Sequence, residues 1–177
     1  MALPQLHMRR HLGELPPLEV PSGYALRTFG PDDADRWRRL LARTGDLGEW
    51  TLARAERFFG PDSGMPLEGA FFLTWQGEPI ATAQLHVHAE GPYAPTPELG
   101  WVAVDREHRG QGLGRVVCLA VLHHAAGGGH RGLFLRTDDH RIAAIRTYLS
   151  LGFEPWMYDQ SAPERWRALL VQLGARG

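Results

Sequence analysis

The 177-residue chain sets 19 Lys and Arg against 20 Asp and Glu, a formal net charge of -1, and is 44% hydrophobic and 10% aromatic. That suffices for the core of one domain, while the near-neutral balance without any Lys/Arg cluster argues against nucleic acid as a partner. Cys118 is the only cysteine, the N-terminus lacks the basic head and apolar stretch of a signal peptide, and no run of about 18 apolar residues could cross a membrane, so a cytoplasmic protein is expected.

Residues 1–22 hold four of the thirteen prolines (Pro4, Pro16, Pro17, Pro21) on a weak apolar pattern and read as an extended, loosely docked N-terminal arm, with a single domain over 23–177. Residues 24–29 alternate as a strand does, and Pro31-Asp32-Asp33 then opens a helix with Trp37, Leu40, Leu41 and Thr44 at helical spacing. A second helix is predicted over 51–59, with Leu52, Ala55, Phe58 and Phe59 on one face and Gly60-Pro61 as its stop. Strands at 69–75 and 79–88 are joined by the hairpin chemistry of Gln76-Gly77-Glu78. After a Pro-rich loop at 91–97, a strand over 98–105 runs into the glycine-rich loop Arg109-Gly110-Gln111-Gly112-Leu113-Gly114. A nearly all-apolar helix over 116–126 ends at Gly127-Gly128-Gly129, and its apolar girth predicts burial against a sheet. A strand at 132–137, a helix over 139–151 stopped by Gly152 and a short strand at 156–158 follow. The last helix has Ser161 as N-cap with Glu164 three residues on, and Trp166, Leu169, Leu170 and Leu173 along one stripe.

The glycine loop lies where several backbone N–H groups lack intrahelical partners and the helix dipole is positive, so it suits an anion. Gly110, Gly112 and Gly114 would let the backbone approach a pyrophosphate, and Arg109 and Arg115 can add charge. Taken alone, the same loop also reads as a turn that only permits tight packing. A Walker loop would need Gly-Lys-Ser/Thr where Gly114 is followed by Arg115 and Val116, and a dinucleotide fingerprint would follow the first strand, so both nucleotide readings fail.

Trp101-Val102-Ala103-Val104-Asp105, followed by His108 and the loop from Arg109 to Gly114, resembles the acetyl-CoA motif of the GNAT superfamily of N-acetyltransferases: a strand, then Arg/Gln-x-x-Gly-x-Gly/Ala, then a helix. Ala144-Ile145-Arg146-Thr147-Tyr148-Leu149-Ser150-Leu151-Gly152-Phe153 resembles that family's second signature, Ala-Ile-x-Leu-Tyr-x-x-x-Gly-Phe, in the right order and with a strand between the two. Residues 135–140 and 153–155 also look like the mycothiol-synthase type of GNAT domain. The resemblance implies an α/β (α+β) fold with a mixed central sheet of about six or seven strands, splayed at the cofactor site and flanked by helices. It implies acetyl-CoA as co-substrate, with Val102, Ala103 and Val104 along the pantetheine and Arg109, Gly110, Gln111, Gly112, Leu113, Gly114 and Arg115 at the pyrophosphate. Where the family often has Asn, three residues before the Ala-Ile pair, this chain has Arg141, which is counted with the cofactor residues.

An amine of pKa near 10.4 is neutral in about one molecule per two thousand at pH 7, so aminolysis of a thioester benefits from a proton acceptor. The resemblance places Glu98 in that role and Tyr148 beside the leaving sulfur, where it donates a proton or a hydrogen bond. Left to themselves, Glu98 also reads as a solvated residue after a loop and Tyr148 as a packed helical aromatic. His86 and His88 share one strand face, a spacing that suits either an acceptor pocket with Gln84 or plain surface histidines; with no further ligand evident, no metal is expected. His123, His124 and His130 read as helix-end or loop residues, and Cys118 as packing.

The expected activity is acetyl transfer to a primary amine of a small molecule or peptide by direct attack. Alternatives are a non-catalytic acyl-CoA sensor, an interaction domain with an empty loop, and a transferase of longer acyl groups. Walls for the acceptor are expected from the first two helices and the loops at 60–69 and 91–97. Dimerisation is common in the superfamily, but no residue here marks an interface.

Overall fold

The computed structural model describes residues 3–45, 47–60 and 63–174. In chain order its elements are β1 (Leu6–His11), β2 (Tyr24–Thr28), α1 (Ala34–Thr44), α2 (Leu52–Phe58), β3 (Ala70–Trp75), β4 (Glu78–His86), β5 (Glu98–Val104), α3 (Leu113–Gly127), β6 (Gly132–Thr137), α4 (Ile142–Ser150), β7 (Glu154–Trp156) and α5 (Ala162–Gln172). The strands form one mixed sheet in the order β2-β3-β4-β5-β6-β1-β7. Every neighbouring pair is antiparallel except β5 and β6, which are parallel and share a single register pair, Glu98 with Phe134. Beyond that point the two strands diverge, and the sheet is splayed through its middle.

Period-two alternation sorts the side chains to the two faces. On β3, Phe71 and Leu73 join the larger core under α3, whereas Ala70 and Phe72 join a second core with Phe29, Trp37, Leu40 and Leu41 under α1 and α2. Gln76 and Gly77 both have positive φ, 51° and 84°, as a two-residue hairpin whose twist matches the flanking strands requires. The apolar girth of α3 has its explanation in the larger core. The helix is packed against the sheet, and Leu12, Leu15 and Leu18 also join this core, where His123 Nε2 donates to the carbonyl of Pro16 at 2.8 Å.

The N-terminal segment is therefore not the loose arm read from its prolines. Residues Leu6–His11 pair with β6 on one side and β7 on the other, with Leu6 and Met8 fully buried and His7 nearly so. An interior strand of six residues gives too short an alternation to stand out beside four prolines, and its burial depends on partners far along the chain. Smaller differences have local causes. Helix α3 starts at Leu113 and not at 116, with Gly112 as N-cap, because φ of +75° at Gly112 turns the chain into the helix. Helix α4 starts at Ile142 and not at 139, β4 stops at His86, and β7 covers 154–156 because that is the stretch in register with β1. Leu52 faces solvent at 41% exposure, so the buried face of α2 rests on Ala55, with Phe58 and Phe59 partly buried. Ser161 makes no capping bond to α5, since its hydroxyl is turned to Asp159. Pro61, read as the stop of α2, lies outside the described residues, as does part of the 60–69 loop.

Replacing Met8 by Ala separates an interior strand from an arm. Loss of a fully buried side chain from a packed core is expected to lower the free energy of unfolding by about 2–5 kcal/mol, read from urea midpoints at unchanged slope, whereas a loose arm would give no change.

Candidate active site

Past Glu98 the backbone of β5 breaks register with β4. Gln84 opposes Gly100 and Thr82 opposes Ala103, so Trp101 and Val102 together face the single residue Ala83, a β-bulge. At the bulge Trp101 adopts φ of +53°, a left-handed conformation that costs a non-glycine residue about 1–2 kcal/mol. The indole compensates by packing edge-on into the second core, 5.4 Å from Trp37, 5.1 Å from Trp50 and 5.2 Å from Phe58 between ring centroids. The kink turns the main chain of Val102 to Val104 toward the gap between β5 and β6.

That gap is a cleft of about 550 Å³. Val102, Ala103 and Val104 form one wall; Arg109, Gly110, Gly112, Leu113, Gly114 and Arg115 form its end; and Arg141 to Ala144, with Thr147 and Tyr148, form the facing wall. Gly110 and Gly112 both have positive φ, 79° and 75°, with open space where a Cβ would stand, which bares the backbone. The N–H groups of the first turn of α3 point out of the helix start at the cleft's end, with the positive end of the dipole behind them.

The side chains expected at this site separate into two groups. Val102, Ala103, Val104, Arg109, Gly110, Gly112, Leu113, Gly114, Arg115, Arg141 and Tyr148 line the cleft. Gln111 does not: its Oε1 accepts from the Tyr24 hydroxyl at 3.0 Å, tying the loop to β2. Arg109 lines the cleft while its Nε donates to the Val104 carbonyl and its Nη2 to that of Thr44, so part of its guanidinium anchors the loop to β5 and the end of α1. Arg141 is the N-cap of α4, with Nε 3.9 Å from Asp138. Tyr148 is 4% exposed, and burial, with Cys118 beside it, pushes its phenol well up despite the opposing Arg141. The hydroxyl therefore keeps its proton at neutral pH. Burial likewise pushes the Cys118 thiol up, and the residue sits wholly inside the core.

Glu98 is not on the cleft. It is 5% exposed at the point where β5 and β6 still touch, and Arg136 from β6 grips it, Nε donating to Oε1 at 2.7 Å and Nη2 to Oε2 at 3.0 Å. His88 Nε2 donates to the same Oε2 at 2.7 Å. The solvated-residue reading of Glu98 thus fails, and Glu98 is the further ligand that was not evident beside His86 and His88: the three bring ligand atoms within 4.8 Å of one another. A divalent ion there would compete with Arg136, which already supplies the positive charge to the carboxylate. Arg136 and the part that Trp101 plays at the bulge were missed in the sequence. A strand arginine and a strand tryptophan are ordinary there, and only cross-strand register gives them a role.

The model of the Acetyltransferase (GNAT) family matches residues 34–153, the span that holds the bulge, the glycine loop and α4. The chain belongs to this family. It is 37% identical over 166 residues to a mycothiol acetyltransferase of Thermobispora bispora, covering 86% of this chain and 54% of that one. It is 38% identical over 163 residues to that of Nocardia farcinica, covering 84% and 52%. The chain thus spans about half the length of these curated relatives. Its fold is that of a GCN5-related N-acetyltransferase from Sphaerobacter thermophilus, with a TM-score of 0.71 at 21% identity over 87% of this chain and 50% of the other. No helix among the described residues is long and apolar enough to cross a membrane.

If aromatic packing holds the bulge, Trp101→Ala should lower stability by about 3 kcal/mol and also weaken binding of coenzyme A, measured by calorimetry, although the indole belongs to the aromatic core. Unchanged coenzyme A binding in the folded variant would mean that the bulge persists without the ring.

Proposed function

We propose that the protein transfers an acetyl group from acetyl-CoA to a primary amine by direct nucleophilic attack. The observation that carries this reading is the junction of a kinked strand with a helix N-terminus in one cleft: the bulged β5 offers main-chain groups along a thioester arm, and the start of α3 offers N–H groups to a pyrophosphate. Relatives named as acetyltransferases support acetyl as the group transferred. In this reading the amine reaches the thioester from the Glu98 end of β5, where its proton is taken up. The N–C bond forms, the C–S bond breaks, and Tyr148 donates a hydrogen bond to the departing thiolate. A phenol held protonated by burial suits a donor that keeps its proton.

The alternative of a non-catalytic acyl-CoA module draws on the Arg136 grip, which leaves Glu98 with few open lone pairs. The two readings part in one experiment. Acetyl-CoA should raise the melting temperature, and thiol release should follow on adding members of an amine panel; stabilisation without thiol release from any amine would favour the sensor, and no stabilisation would sink both. A side chain found acetylated and turning over competently would rule out direct attack. For an active amine, Tyr148→Phe is expected to lower kcat about tenfold with little change in the KM for acetyl-CoA, since the lost contact forms only as the sulfur leaves. Gly112→Ala, forced to keep φ of +75°, should weaken acetyl-CoA binding and cost about 1 kcal/mol of stability.

A further inference from the structure

The face of β4 turned toward α1 and α2 is polar along its length. Thr82, Gln84 and His86 alternate with Ala81, Ala83 and Leu85, which are buried in the core that contains α3, and His88 follows beyond the strand end. Thr82 and Gln84 are fully buried, yet neither the Thr82 hydroxyl nor either amide atom of Gln84 has a partner among the described residues. Buried polar atoms of this kind cost free energy unless something polar meets them. Both lie beside the bulge, since Gln84 opposes Gly100 and Thr82 opposes Ala103. The row thus runs from the place where a thioester would lie to His86, His88 and Glu98.

We propose that His88, oriented by Glu98, receives the proton lost by the acceptor amine and hands it by way of His86 to solvent. This rests on the transferase reading above. A carboxylate has about four lone-pair directions, and three of those on Glu98 are engaged, two by Arg136 and one by His88. Because His88 gives its Nε2–H to Glu98, the open acceptor nitrogen of the neutral ring is Nδ1. His86 is the next titratable group, with ring centroids 4.1 Å apart, and both rings are partly buried. The groups facing His88 are Glu98 from β5, Arg136 from β6, His86 from β4 and Tyr93 from the 91–97 loop, 5.7 Å away between ring centroids, with the apolar ring of Phe134 alongside. Burial first, then a charged His88, holds the His86 imidazole below its ordinary value, so His86 is neutral at pH 7 and gives up readily to solvent any proton that reaches it. Tyr93 is in turn fixed by His7 of β1, whose Nε2 accepts from the Tyr93 hydroxyl at 3.0 Å.

The balance needs such an exit. An ammonium acceptor loses one N–H proton to Nδ1 of His88, giving an imidazolium paired with Glu98. The freed lone pair forms the N–C bond, and the C–S electron pair leaves with sulfur. The thiolate takes the second amine proton, so each turnover releases one proton to solvent.

The test uses His88→Gln, His86→Gln and Glu98→Gln in the full chain, with an amine that the wild type acetylates and unfolding midpoints as a check on folding. His88→Gln should lower kcat at pH 7 by about a hundredfold, His86→Gln by about tenfold, with the KM for acetyl-CoA within about twofold. The deficit should shrink as pH rises toward about 10, where the amine sheds its own proton, a rescue that a merely structural loss would not show. Wild-type kcat in His88→Gln, or a deficit equal at every pH, would overturn the proposal. A second measurement stands apart from catalysis: nitrogen NMR of the neutral His88 ring should show its proton on Nε2 in the wild type, a preference weakened in Glu98→Gln, and a wild-type ring that carries the proton on Nδ1 overturns the pairing. Failure of the wild type to acetylate any amine sinks the transferase reading instead, and the proton row with it.

Discussion

Everything at the cleft depends on one distortion, the extra residue that β5 carries against β4 at Trp101. A regular strand would bond on both sides and leave no room between β5 and β6; the bulge breaks the ladder, and the strands share only the Glu98–Phe134 pair. Its left-handed residue is a tryptophan and not a glycine, so the strain of the backbone is offset by the edge-on packing of its indole among Trp37, Trp50 and Phe58. The core under α1 and α2 is thereby part of the site, though none of its aromatic rings lines the cleft. This is a local conformation over-determined by its surroundings, as strained residues at functional positions are.

The splay also divides the labour between the two sides of Glu98. Toward the C-terminal end of β5, main-chain groups and the start of α3 make the cleft, with the positive end of the helix dipole at its end. Toward the N-terminal end, the carboxylate is locked with Arg136 and His88 beneath an aromatic shelf of Tyr93, Phe134 and Trp156, to which β1 contributes His7. Strand β1 therefore does more than extend the sheet: it lies between β6 and β7 and steadies the loop that leads into Glu98.

The glycine loop and the Ala144 to Phe153 segment were legible because their chemistry is local. Glycines at positive φ and a strand-to-helix turn leave their mark within a few residues, and eleven of the thirteen expected site residues line the cleft. The two that do not, Glu98 and Gln111, are bonded to side chains distant in the chain, Arg136 and Tyr24. No spacing rule could have reported those partners. The N-terminal strand was hidden for a related reason, since its burial comes from β6 and β7, more than a hundred residues further on.

The sequence by itself determined the order of elements from residue 24 onward, the glycine loop and the family, because periodicity, turn chemistry and short motifs are written in neighbouring residues. Only the tertiary structure decided which strands touch, where the sheet opens, that residues 6–11 lie inside it and that Glu98 shares its oxygens with Arg136 and His88. Those outcomes follow from register between distant segments. Register is a property of packing, and a change of one residue would turn every side chain of a strand to the other face.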